Sequence, residues 1–152
     1  LRTTVGRVSS RPMRKVQFSD FSETTKYRFP SEGSSSTPAH NMRDFKFKDY
    51  SPEVFRHIRT RFGIDGADYM MRVCGNFDYL EFISNSKSGQ FFFYTHDRQF
   101  MIKTVSQAEC RYLREILPAY YRVPFRLLVF EKRNELSVGL WCSTSWRTPT
   151  RC

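Results

Sequence analysis

The stretch Ser84-Asn-Ser-Lys-Ser-Gly-Gln-Phe-Phe-Phe-Tyr-Thr-His-Asp-Arg-Gln-Phe-Met-Ile-Lys-Thr-Val105 alternates a polar turn, an apolar strand, a second polar turn and a second apolar strand. In its last strand a period of two sets Phe100, Ile102 and Thr104 on one face and Met101, Lys103 and Val105 on the other. Lys103 therefore stands among apolar neighbours, where an ammonium needs an anionic partner or ligand.

Working outward, Phe77 to Ser84 reads as a strand that pairs ahead of Gln90 to Thr95, so three consecutive antiparallel strands are expected. Phe91, Phe92, Phe93 and Tyr94 load both faces of the middle strand with aromatics, which predicts a central and buried position. Ser106-Gln-Ala-Glu109 has capping-box spacing and predicts a helix from about Gln107 to Leu117 or Tyr121, with Cys110, Leu113, Ile116 and Leu117 as its apolar stripe. Upstream, Phe45 to Tyr50 alternates. Ser51 is a suitable N-cap, Pro52 suits the first helical position, and Val54, Phe55, Ile58 and Phe62 recur at helical spacing until Gly63 stops the run. Arg56, Arg59 and Arg61 fall on or near the opposite side of that helix and make it basic and amphipathic. A second, shorter helix is expected from about Ala67 to Cys74.

The formal net charge of +10 is unevenly spread. Residues 1–44 carry +4 and residues 122–152 carry +4, leaving +2 for 45–121, so the excess sits in the flanks. Residues 1–44, rich in Ser, Thr, Arg and Pro and without apolar period, are expected to be a disordered basic tail. Cys74, Cys110, Cys142 and Cys152 show no C-x-x-C spacing, and only His40, His57 and His96 could join them, so no zinc site is expected and the cysteines read as cytosolic thiols. No apolar run reaches the roughly 18 residues of a membrane span. A pI of about 9.8 and 16% aromatics raise nucleic-acid binding, but the aromatics fall where strands need a core and no RNP-like pattern occurs, so no nucleic-acid partner is expected.

Ser86-Lys-Ser-Gly89 lacks the G-x-x-x-x-G-K-[ST] of a Walker loop and the G-x-G-x-x-G of a protein kinase. Alone it is a polar hairpin turn. A turn with exposed backbone N–H groups, then two strands and a lysine in an x-Ile-Lys context, matches the kinase arrangement, in which a loop covers the ATP phosphates and the strand lysine meets them and a helix glutamate. The next helix offers Glu109 and Glu115, and Glu109, as third residue of the capping box, could instead satisfy backbone N–H groups.

Together, Phe45-Lys-Phe-Lys-Asp-Tyr-Ser-Pro-Glu-Val-Phe-Arg56, Arg61-Phe-Gly-Ile-Asp65, Ser86-Lys-Ser-Gly89, Phe100-Met-Ile-Lys-Thr-Val105 and Leu117-Pro-Ala-Tyr-Tyr121 resemble the phosphatidylinositol phosphate kinases, most closely the 4-phosphate 5-kinase branch. The resemblance covers residues 45–122 and implies an α+β amino-terminal lobe, an antiparallel sheet with flanking helices. It implies transfer of the ATP γ-phosphate to a phosphoinositide, with ATP and Mg²⁺ as cofactors. Ser86, Lys87, Ser88, Gly89, Lys103 and Glu109 then stand as the ATP-binding residues, and Arg56, Arg59 and Arg61 as a membrane-facing set.

A peripheral place on the cytoplasmic face of membranes and a possible homodimer are implied in the same way. Two departures stand out. Ser86 occupies a position where the family usually has glycine, and after Arg122 the family pattern stops, with the catalytic and metal-binding segments of the second lobe absent from residues 123–152. The expectation is a fragment inactive alone, with a divergent segment at 123–152, misfolded or partly stranded, that marks a read-through, frame change, gene-model error or shortened natural form. The alternative is a non-catalytic module for anionic membranes or dimerisation.

Overall fold

The computed structural model describes residues 2–75, 78–83, 91–123 and 141–143. Two antiparallel three-stranded sheets and four helices make up this part of the chain. The first sheet has the order β1-β2-β6, from β1 (Thr24–Phe29), β2 (Phe45–Tyr50) and β6 (Trp141–Ser143). The second has the order β3-β4-β5, from β3 (Leu80–Ile83), β4 (Phe91–Tyr94) and β5 (Met101–Lys103), which is the expected meander. Helices α1 (Arg2–Ser9), α2 (Pro52–Arg61), α3 (Gly66–Cys74) and α4 (Gln107–Arg122) flank them.

The first forty-four residues depart from the disordered tail expected of them. They supply α1, a 3-10 turn at Phe18–Phe21 and β1. Val5 of α1 is buried in one cluster with Tyr69, Val73 and Phe100, so a core layer depends on a residue that showed no period. Arg14 forks onto both carboxylate oxygens of Asp20 at 2.8 and 2.7 Å, and Gln17 N donates to the same group at 2.7 Å. These bonds hold the Asp20 carboxyl below its ordinary pKa, the Arg14 hydrogen bond most of all. Composition hid this order because its cohesion comes from long-range packing and one bidentate pair, neither of which has a sequence period.

Val54, Ile58 and Leu117 form a second buried cluster, where α2 meets α4, and Val16 and Phe21 of the amino-terminal segment pack on it. The stop at Gly63 falls where expected, with φ of 70°, the left-handed region that glycine enters without strain. Ser51 stands at the N-cap of α2 as expected, and its carbonyl accepts from Phe55 N at 3.1 Å, but its side chain makes no cap hydrogen bond. It is fully buried in the left-handed region at φ 49°, and its Oγ donates to Phe21 O at 2.8 Å. Tying the 3-10 turn to the end of β2 has displaced the side-chain capping bond.

Strand β4 is central but not buried. Phe91 is 40% exposed and Phe92, Phe93 and Tyr94 are half-buried, because among the described residues only three strands build this sheet. Helix α4 extends past Pro118 to Arg122, beyond the nearer of the two ends expected. Of the segment 123–152, expected to be misfolded or partly stranded, Val123 and residues 141–143 are described, and Trp141 begins β6. Ser143 closes that strand.

Candidate functional site

Strand β5 is aimed by the turn before it. Thr95, almost fully buried, donates through its backbone to Phe100 O at 2.9 Å, and its hydroxyl accepts from Phe100 N at 3.1 Å. Asp97 accepts from the Thr95 hydroxyl and from Gln99 N, while Arg98 takes a positive φ of 57° to close the turn. Register follows: Tyr94 faces Met101, Phe93 faces Ile102 and Phe92 faces Lys103. Phe100 enters the core and Ile102 packs against the same cluster, so alternation puts Lys103 on the other face, as its neighbours in sequence require.

Lys103 Nζ lies 3.4 Å from Glu109 Oε1, and 5.9 Å from the centroid of the Phe92 ring. Glu109 is the third residue of α4. Its other oxygen, Oε2, accepts from Ser106 N at 2.7 Å, while Glu109 N donates to Ser106 Oγ at 3.2 Å. The two roles open for Glu109 in the sequence are thus both filled, one by each carboxylate oxygen. Glu115 is exposed on the helix, away from this pair. Ser86, Lys87, Ser88 and Gly89 lie outside the described residues.

The three arginines of α2 do not form one solvated face. Arg59 is 6% exposed and stacks over the Tyr69 ring at 4.4 Å. Burial pulls its guanidinium below the ordinary value, opposed by Tyr69 and Asp49. Arg56 donates to Ser9 O at 3.2 Å and Arg11 O at 2.7 Å, beside Glu53 at 3.8 Å, and so straps the amino-terminal segment to α2. Arg61 is exposed; it donates to Tyr121 O at 2.6 Å and lies over the Tyr121 ring.

A different cationic surface lies on the first sheet. Register pairs Lys26 with Lys48 and Arg28 with Lys46, so four cations share one face of the β1–β2 ladder. Lys26, Arg28 and Lys46 are exposed and Lys48 is half-buried; Asp44 reaches Arg28 at 3.5 Å. Like charges directly opposite one another destabilise a ladder, so these four cations repel one another across it. Its signal was present in the alternation Lys26-Tyr-Arg28 and Lys46-Phe-Lys48, and became a surface only once β1 was known to pair with β2.

The opposite face of the same ladder carries Tyr27, Phe29, Phe47 and Asp49. Asp49 is buried, and burial pushes its carboxyl up to about 7 against the pull of Arg59.

An antiparallel meander whose third strand offers a lysine to a glutamate at the start of the following helix is a kinase amino-terminal-lobe fold. Residues 73–123 match the family model described as Phosphatidylinositol-4-phosphate 5-Kinase. Phosphatidylinositol 4-phosphate 5-kinase 3 of Arabidopsis thaliana is 48% identical over 123 residues, covering 80% of this chain and 17% of that protein. Phosphatidylinositol 4-phosphate 5-kinase type-1 alpha of Homo sapiens is 43% identical over 118 residues, covering 78% of this chain and 21% of that protein. The phosphatidylinositol phosphate kinase resemblance carried by the motifs therefore stands, and it is a resemblance to part of such an enzyme, since the chain spans about a fifth of the length of these curated relatives. The aligned stretch is longer than residues 45–122 and, with only thirty residues beyond 122, it reaches into the first forty-four.

Proposed function

We propose that this chain is the nucleotide-cradling part of a phosphatidylinositol phosphate kinase, with ATP and a phosphoinositide as substrates of the whole enzyme. The observation that carries the reading is the Lys103–Glu109 pair at 3.4 Å, on a strand and a helix fixed by their own turn and cap. Such a lysine holds a phosphate oxygen as a point charge while the glutamate keeps it extended. Ser86 to Gly89 would cover the phosphates with backbone N–H groups. Of the residues expected to meet ATP, Lys103 is a described cation that suits an anionic phosphate.

No set of three or more His, Cys, Asp or Glu side chains able to hold a metal occurs among the described residues, so no step through Mg²⁺ is assigned to them. Phosphoryl transfer also needs an orienting carboxylate and metal ligands, for which residues 1–152 show no matching motif. These residues alone are therefore expected to bind nucleotide without turnover. The test is a lipid kinase assay on the 152-residue chain with phosphatidylinositol 4-phosphate vesicles and Mg-ATP. Background-level turnover is expected, and robust, Lys103-dependent turnover would overturn the inactive-fragment reading.

A second reading, contact with an anionic membrane, is favoured by the four-cation face of β1–β2. Among the described residues no helix is long and apolar enough to cross a membrane. Each Lys or Arg near an anionic surface contributes about 1 kcal/mol. This assigns peripheral membrane contact to Lys26, Arg28, Lys46 and Lys48 in place of Arg56 and Arg59, and leaves Arg61 as the exposed member of the α2 set. A homodimer stays part of the proposal, to be read from sedimentation of the chain.

A further inference from the structure

We propose that Ser106 is a positioning residue for the Lys103 clamp, acting through Glu109. The inference rests on the ATP reading of Lys103 and adds how its geometry is held. Glu109 divides its carboxylate: Oε1 faces Lys103 Nζ at 3.4 Å and Oε2 accepts from Ser106 N at 2.7 Å. The Ser106 hydroxyl closes the loop by accepting from Glu109 N at 3.2 Å. The backbone of Glu109 is thus pinned to Ser106 and its side chain folded back over the helix start, leaving one oxygen for the lysine. The cap fixes the Glu109 carboxylate relative to the first turn of α4, so the carboxylate is released from Ser106 only if that turn unwinds.

Two residues separate Lys103 from Ser106, and Thr104 is tied to β4 through its backbone N to Phe91 O at 3.0 Å. Strand end, cap and carboxylate are therefore one short rigid circuit. Its partners on both sides are about one-third exposed, so solvent would release a glutamate that nothing held. The clamp is accordingly set in advance of nucleotide, and Ser106 sets it.

The experiment uses the full chain and two readouts. The first is the rate at which Lys103 is reductively methylated, followed by mass spectrometry, which reports the ion pair without nucleotide. The second is the dissociation constant of the fluorescent probe methylanthraniloyl-ATP. Ser106→Ala is expected to raise both by about fivefold, the range that loss of a cap allows. Ser106→Thr, which keeps the hydroxyl, restores both. Ser106→Gly lacks the oxygen but is a tolerated N-cap, so it supplies a folded variant should Ser106→Ala fold poorly. A lowered melting midpoint with both readouts unchanged would make Ser106 a structural cap and nothing more. Nucleotide affinity indifferent to Lys103→Ala sinks the ATP reading and this inference with it. Affinity that responds to Lys103→Ala but not to Ser106→Ala or Ser106→Gly sinks the inference alone.

Discussion

The two sheets handle positive charge in opposite ways. In β3–β4–β5 one cation, Lys103, is matched to one carboxylate that is itself tied down. In β1–β2–β6 four cations stand across from one another and Asp44 reaches one of them, Arg28, while the other face of the ladder buries a carboxylate, Asp49, near Arg59. A single held charge suits a ligand with one position, such as a phosphate. An array of mutually repelling charges suits a surface that offers many anions and no fixed geometry. The first arrangement is specific and the second is additive, and each can be broken without the other.

The largest effect is expected from the buried side of the first sheet. Asp49 has its folded pKa raised from 3.8 to about 7, so between those values the folded state binds the extra proton. Its contribution is fully present below the unfolded value and is lost as pH rises through about 7, on the order of 4 kcal/mol. Asp20 and Asp65, whose pKa values are lowered by hydrogen bonds, act the other way and only as pH falls below about 4, outside this window. Denaturant unfolding of the parent at pH 5 and pH 8 should show roughly 3 kcal/mol of that loss, the share lying between pH 5 and about 7, and Asp49→Asn should flatten it; the same difference in the variant would leave Asp49 without this role.

Next in size, Arg59→Ala is expected to cost about 3 kcal/mol of stability, because it takes a buried guanidinium away from Tyr69 and Asp49. Anionic-vesicle binding per folded molecule should not change. A loss of vesicle binding without a loss of stability would return Arg59 to the membrane set.

On the outer face, the double variant Lys26→Ala, Lys46→Ala should weaken binding to phosphatidylserine vesicles by about 2 kcal/mol, roughly thirtyfold. Folding stability should hold or rise by a few tenths of a kcal/mol as facing charges are relieved, approximately the scale of one cross-strand pair. Co-sedimentation unchanged by the double variant would leave the cationic face without a role.

Much of this was written in local pattern. The meander, the α2 stripe of Val54, Ile58 and Phe62, the stop at Gly63 and the capping box at Ser106 all follow from spacing over a few residues, and so does the face on which Lys103 lies. What spacing could not reach was decided over distance. Arg59 is buried because α3 brings Tyr69 to it, Ser51 gives up its side-chain cap bond because Phe21 arrives from thirty residues away, and Val5 is core because α1 docks on α3. The four-cation face is of the same kind, since each strand alone shows only two cations. Glu109 was legible as a candidate and not as a bridge, because spacing assigns a residue one role where its two oxygens hold two.

Lys103, held by Glu109, is proposed as the phosphate ligand of an ATP site. Titrating methylanthraniloyl-ATP into the 152-residue chain and into Lys103→Ala tests it most directly, with the Lys26→Ala, Lys46→Ala variant as a charge control. Lys103→Ala should lose at least about tenfold in affinity, the equivalent of one charge-assisted contact, and the control should lose none. Equal affinity in the parent and Lys103→Ala, or a loss shared with the control, would contradict it.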